Sequence, residues 1–283
     1  MELQEVIGRR RTIRFFLPFR PVERAKIQKM LEAARHASCG GNVMNVRGVV
    51  LMRDQTPDEI MDTIKLPLGY QQMHTAPAFI MWYSDYMAFD GRFWIDQTKE
   101  LAKSRRLGPD LEATLDELEN KLLPVFETMD PKLVGNSPAA GMDAGQAIGQ
   151  ATLMAYEQGL GTCLMGGPLL DKLSKKLEAP ESWVPLVLQA VGYPAESWEA
   201  GGQTEKPAMG ELFFEGKVGN PFNADPAVEE ELKQSKMIDE PAPLPWRDAE
   251  LQYLVRGLGL DNKMLDVEMF GAAEDMMGST DED

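Results

Sequence analysis

One segment, residues 143–158 with the few residues ahead of it, limits the packing of this 283-residue chain more than any other. Gly141, Gly145 and Gly149 recur every four residues, and Ala144, Ala147, Ala151 and Ala155 fill neighbouring positions. That spacing predicts a helix lined with small side chains, along which a second helix can come very close. Each glycine lowers helix stability by about 1 kcal/mol relative to alanine, so packing must offset the loss. Two arrangements do so: a central core helix within one subunit, or a seam between two subunits.

Around this segment, apolar β-favouring runs occur at 46–52, 78–83, 162–165 and 184–191. Helical spacing is found at 3–10, 22–37, 58–64, 92–102, 111–126 and 169–177, with Pro21 and Pro168 at helix-start positions. The alternation of helices with short strands is an α+β pattern built on a small sheet. No repeat of fixed period interrupts it.

Composition excludes several classes of chemistry. With two histidines, His36 and His74, and two distant cysteines, Cys39 and Cys163, the chain is poorly supplied for a metal centre, a disulfide framework or a His-dependent triad. No run of eighteen apolar residues is present, and Met-Glu-Leu-Gln-Glu lacks the basic start and apolar core of a secretory signal. The expectation is a cytoplasmic protein with no membrane segment. The net charge of −16 is uneven: residues 224–283 hold sixteen acidic and five basic side chains, whereas residues 1–35 hold nine Arg or Lys against four Glu. Without aromatic interleaving, and with an acidic body behind it, this basic start does not indicate nucleic-acid binding.

The basic start suits a smaller anion. Arg9-Arg10-Arg11-Thr12-Ile13-Arg14-Phe15-Phe16 supplies planar guanidinium forks, and Ser38-Cys39-Gly40-Gly41-Asn42 supplies a turn of small residues that a ligand can approach closely. Further on, Gly159 is placed as a helix cap, and Gly166-Gly167 suits backbone pressed against a flat ligand. Taken alone, these glycines match neither a P-loop nor a dinucleotide fingerprint.

In order along the chain, the Arg-Arg-Thr-Ile-Arg-Phe-Phe start, the turn ending at Asn42, the segment from Gly159 to Gly167, and Val191-Gly192-Tyr193-Pro194-Ala195-Glu196 followed by Lys206-Pro207 resemble the FMN-dependent nitroreductase family. The resemblance spans roughly residues 3–222. It implies a nitroreductase-like α+β fold, a small mixed sheet surrounded by helices in a domain-entwined homodimer, with FMN bound where the subunits meet. Residues 1–222 would form the FMN-binding domain, with 84–136 as a lid-like insertion. Residues 223–283 would form an acidic C-terminal arm, lying across the partner subunit and disordered over its last ten or so residues.

Position by position, the resemblance implies that Arg10 and Thr12 bind the FMN phosphate and that Arg14 lies near the pyrimidine end of the flavin. Ser38, Cys39, Gly40 and Asn42 would meet the same flavin from the other subunit. Gln72 would touch the pyrimidine edge, with Gln71 one register step away, and Met165, Gly166 and Gly167 would run beside the reactive nitrogen. Lys206 corresponds to a basic phosphate contact. A second basic residue is common shortly after it in the family, and here Ala208 and Met209 stand in that region, so Arg9 or Arg11 becomes the candidate replacement. Tyr86, Phe89, Phe93 and Trp94 would line the substrate pocket.

The implied activity is a ping-pong hydride transfer from NADH or NADPH through FMN to an electron-poor nitroaromatic or quinone-like acceptor. A flavin-dependent dehydrogenase, ene-reductase or reductive dehalogenase acting on a metabolic intermediate is the alternative. Because the flavin carries the hydride, neither reading needs a protein nucleophile.

Overall fold

In a computed structural model, residues 2–64, 69–167 and 169–260 are described. Four strands form one sheet in the order β1-β2-β4-β3: β1 (Val46–Met52), β2 (Ala78–Asp85), β3 (Gly161–Met165) and β4 (Trp183–Gly192). All three pairings are antiparallel. The sheet is thus antiparallel where a mixed one was expected, with a single isolated parallel bridge at its edge between Thr12 and Thr162.

β2 is buried along its whole length, and its side chains alternate between two cores. Phe79, Met81 and Tyr83 join Ile13, Phe16, Met165 and Leu188 on one face. On the other, Ile80 and Trp82 meet two helices, α2 (Arg24–Arg35) and the 20-residue α5 (Pro138–Glu157). The α5 helix begins five residues before the sequence expectation, because Pro138 fits its first turn and the Ser137 hydroxyl accepts the Ala140 N–H at 3.4 Å.

The small residues of α5 divide between two faces. Ala147, Ala151 and Ala155 are buried against α2 and the sheet, and Ala144 is buried as well. Gly141, Gly145 and Gly149 face outward, with nothing within 4 Å of where a Cβ would stand. One half of the helix is thus a core element, and the other is an open face.

Before the sheet stands α1 (Leu3–Arg9), and between β1 and β2 lies the short α3 (Tyr70–Thr75), which helical spacing did not reveal because six residues carry too little periodicity. Residues 84–136, the expected lid, hold α4 (Gly91–Lys103) and a broken helix where the sequence predicted an unbroken one at 111–126. An α segment (Leu111–Glu117) passes into a π turn (Leu118–Leu122) before Leu123–Phe126. Pro124, which has no N–H to donate, explains the interruption.

After the sheet, residues 211–231 run exposed, and the chain then returns to its own body near Leu244. Leu244 and Leu254 are buried, and α6 (Arg247–Gly257) docks beside residues 196–203. Within the C-terminal segment, Leu244, Leu254 and Arg247 therefore pack against the body of the same chain. The expectations for Pro168 and for the last ten or so residues fall outside the described residues. No helix among them is long and apolar enough to cross a membrane.

Ile13 ties the N-terminal motif to this framework. Its side chain is fully buried, and its N–H donates to the Thr162 carbonyl at 3.0 Å. Gly161 faces it so closely that a Cβ there would stand 2.5 Å from Ile13 Cγ1. Ile13→Ala is expected to cost roughly 2–5 kcal/mol in urea denaturation. A loss well below that range would show that the strand is not anchored through this side chain.

Candidate functional site

Beyond α1 the chain becomes extended, and alternation turns Arg10, Thr12 and Arg14 to one side while Ile13 enters the core. With Gly8, Arg11, Gly202–Thr204 and Lys206, these residues line a cleft of about 340 Å³. Four cationic side chains therefore converge in a chain of net charge −16.

Arg10 is half-buried, its side chain makes no hydrogen bond or ion pair among the described residues, and burial pushes its pKa below the usual arginine value. Arg11 is held by the Gly8 carbonyl and lies 3.6 Å from Asp239, yet its buried Nε has no partner. Arg9, by contrast, is engaged by Glu5 at 3.5 Å and Glu199 at 3.2 Å. Of the two candidates for the missing second basic residue, only Arg11 lines the cleft. Lys206 is exposed and donates to Thr204 Oγ1 at 3.0 Å.

Next to the arginines, α3 presents Gln72. Arg53 fastens the end of that helix, donating to the Ala76 carbonyl at 2.8 Å and to that of Met73, while Thr75 Oγ1 accepts the Phe16 N–H at 3.2 Å. Gln72 is buried; its Nε2 lies 3.3 Å from Cys163 Sγ, and its Oε1 has no partner. Burial raises the Cys163 pKa, with the Gln72 hydrogen bond and the charge of Arg14 pulling against it. Met165 is buried, whereas Gly166 and Gly167 are exposed and a Cβ on either would meet nothing. The result is a flat, open strip of backbone beside Gln72.

The turn at 38–42 lies elsewhere. Gly40 N–H donates to Asp143 Oδ2 at 2.9 Å, and Gly41, with φ of 61°, backs onto Trp94, where a side chain would collide with the indole. Asn42 also has positive φ, and Ser38 is exposed. Burial raises the Cys39 pKa, opposed by the Met44 N–H at 3.4 Å from Sγ, so this thiol is not activated as a nucleophile.

Asp143 sits in the N-terminal part of α5, while Arg9 and Arg11 lie within electrostatic reach of Tyr156 near its other end. Thirteen residues of helix correspond to about 20 Å. One chain therefore does not bring the two halves of the motif together.

At the turn's end of the molecule, the aromatic group of the lid divides. Phe89 is buried, Trp94 packs edge-on against Phe89 at 5.3 Å and against Phe126 at 4.6 Å, and both serve packing. Tyr86 is half-buried beneath Gly135, and Phe93 is 40% exposed.

Two residues near the cleft had no role in the sequence reading. Glu196 ends the Pro194-Ala195-Glu196 motif, and its Oε1 accepts the N–H groups of Arg14 at 2.5 Å and Phe15 at 3.0 Å. Arg247 reaches its Oε2 at 2.6 Å from 51 residues further on. No local spacing signals such a pair.

Comparison with known proteins identifies the family and the fold. A sequence model described as the Nitroreductase family matches residues 7–97 and 134–193, more than half of the chain. No curated protein matches the sequence. Among solved structures, a nitroreductase-like protein from Streptococcus mutans is 21% identical with a TM-score of 0.59, covering 74% of this chain and 95% of that one. An inferred NAD(P)H:FMN oxidoreductase from Staphylococcus epidermidis is 17% identical with a TM-score of 0.60, covering 75% and 94%. An inferred nitroreductase from Exiguobacterium sibiricum, solved in complex with FMN, is 21% identical with a TM-score of 0.55, covering 75% and 96%. At these identities the likeness is one of fold. With the matched residues taking in the arginine motif, the turn, α5 and all four strands, the chain belongs to the nitroreductase family.

Proposed function

We propose that this chain works as a homodimeric, FMN-dependent oxidoreductase that moves hydride from NADH or NADPH to an electron-poor acceptor of the nitroaromatic or quinone type. The observation that carries this reading is Arg10, a half-buried guanidinium without a counter-ion among the described residues, in a cleft it shares with Arg11, Arg14 and Lys206. A buried charge left unpaired is costly, and a phosphate is a fitting partner for such a cluster. The unpartnered Oε1 of Gln72 and the open backbone at Gly166 and Gly167 suit the edge and face of a flat ring.

In this reading Arg10, Thr12, Arg11 and Lys206 hold the phosphate. Gln72 Oε1 accepts from the pyrimidine edge, while Nε2 stays with Cys163. Arg14 places positive charge beside the ring and so favours the electron-rich reduced form, raising the reduction potential. Met165, Gly166 and Gly167 flank the ring and exclude side chains from one of its sides. When bound, FMN supplies the chemistry, taking hydride from the nicotinamide and passing it to the acceptor in a ping-pong cycle.

Homodimerisation is supported by the separation of the two halves along α5 and by the open glycine face of that helix. Ser38, Cys39, Gly40 and Asn42 of the partner subunit would then complete the site. Residues 98–133, between the two matched stretches, belong to the lid, where acceptor choice is expected to reside.

The purified protein is expected to be yellow, or to bind added FMN, and to bleach under anaerobic conditions with NADH or NADPH. A colourless chain that FMN does not titrate overturns the reading. Flavin that binds but is not reduced by either nicotinamide overturns the choice of electron donor and leaves the binding site standing.

A further inference from the structure

We propose that Glu196 and Arg247 act as a positioning pair for the flavin-binding strand, so that the C-terminal segment sets cofactor affinity without touching the cofactor. This inference rests on the FMN reading of the arginine cleft. Glu196 has no exposed side-chain surface, and both of its oxygens are committed. Oε1 fixes the backbone N–H groups of Arg14 and Phe15, and Oε2 meets Arg247 Nη2 at 2.6 Å. Arg247 in turn holds Glu250 at 2.6 Å, and Glu250 Oε1 accepts the Ser197 N–H at 2.7 Å. The guanidinium therefore neutralises a buried carboxylate that stands directly behind Arg14.

The opposite wall of the cleft is held from the same segment. Gln203 N–H donates to the Glu240 carbonyl at 2.8 Å, its carbonyl accepts the Ala242 N–H at 2.9 Å, and its amide bridges the Met237 carbonyl and the Asp239 N–H at 3.0 Å each. Leu244 N–H closes onto the Gly201 carbonyl at 2.8 Å. Both cleft walls are thus fastened by residues 237–247, which lie beyond the stretches matched to the family.

Removing Arg247 leaves the Glu196 carboxylate buried without a counter-ion. The carboxylate must then move toward solvent, which releases the Arg14 and Phe15 N–H groups, or stay and oppose an anionic ligand nearby. Either outcome weakens FMN binding. A lysine keeps the charge but cannot fork between Glu196 and Glu250, so it should restore only part of the effect.

The test uses the full chain stripped of flavin, with FMN affinity read at 25 °C from fluorescence quenching and with backbone amide exchange read at Arg14 and Phe15. Arg247→Met is expected to raise the Kd for FMN at least tenfold and to speed exchange at both amides. Arg247→Lys should fall between it and the wild type. The double variant E196Q/R247M should lose less affinity than the two single losses combined, because no unpaired charge remains. Tyr253→Ser, an exposed change on the same helix, serves as the control that leaves both readouts unchanged. A purely structural role would lower the melting temperature while the folded fraction kept its affinity and its amide protection.

If Arg247→Met binds FMN within twofold of the wild type with unchanged exchange, the inference fails and the FMN reading stands. If the wild type itself takes up no FMN, both fail, and this is seen before any variant is compared. Should Arg247→Met not fold, Glu196→Ala, which removes the acceptor of the Arg14 and Phe15 N–H groups, carries the same two readouts: affinity within twofold of the wild type and undisturbed amides would overturn the pair, and a tenfold loss with faster exchange supports it.

Discussion

Replacing Arg10 with alanine is expected to weaken FMN binding by about 10- to 150-fold while the flavin-free protein melts no earlier than the wild type. The first part follows from the loss of a charge-assisted contact worth roughly 1.5–3 kcal/mol, each 1.4 kcal/mol being tenfold in affinity. The second follows from the surroundings: Arg10 has no partner to lose, and burial already disfavours its charged form. Few substitutions at a ligand site leave the empty protein unharmed while emptying the site. Fluorescence titration and calorimetry on one preparation check both. Unchanged affinity would remove the phosphate from this cleft, and a large drop in melting temperature would show that Arg10 has a structural partner.

A second large effect is expected on α5. Gly145→Leu adds a side chain where nothing lies within 4 Å, and it replaces the poorest non-proline helix former, so a lone subunit should gain about 1 kcal/mol. In a dimer built on that face, the same leucine blocks the close approach that glycine permits. The variant should therefore sediment as a folded monomer and lose most of its flavin, because the 38–42 turn no longer reaches the arginine cleft. Sedimentation velocity and flavin absorbance read the two consequences together. A Gly145→Leu dimer with full flavin occupancy would move the seam to another face.

Much of this architecture was legible in the chain. The runs at 46–52, 78–83, 162–165 and 184–191 each became a strand, the first with the same bounds and the other three lengthened where backbone pairing continues past the apolar residues. Periodicity located α1, α2, α4 and α5 for the same reason, since each buries one stripe of side chains against a larger body. It failed at α3, which is too short to show a period, and in the lid, where Pro124 breaks a pattern that reads as continuous. In the C-terminal segment the apolar residues marked a packed part, and Leu254 is buried, but nothing in the spacing located the Arg247–Glu196 contact that fastens it.

By itself the amino-acid sequence determined the features that arise from local chemistry: strands and helices from periodicity, and an anion site from clustered arginines, since charge and alternation are properties of neighbouring residues. Tertiary structure alone decided that Arg10 is left unpaired while Arg9 is neutralised, that the alanines of α5 face inward and its glycines outward, and that the turn at 38–42 stands a helix length from the arginines. It also joined Glu196 to Arg247. These facts depend on which distant groups meet once the sheet and α5 have packed. Burial, pairing and separation of that kind are set by the whole chain and leave no mark in the spacing of its residues.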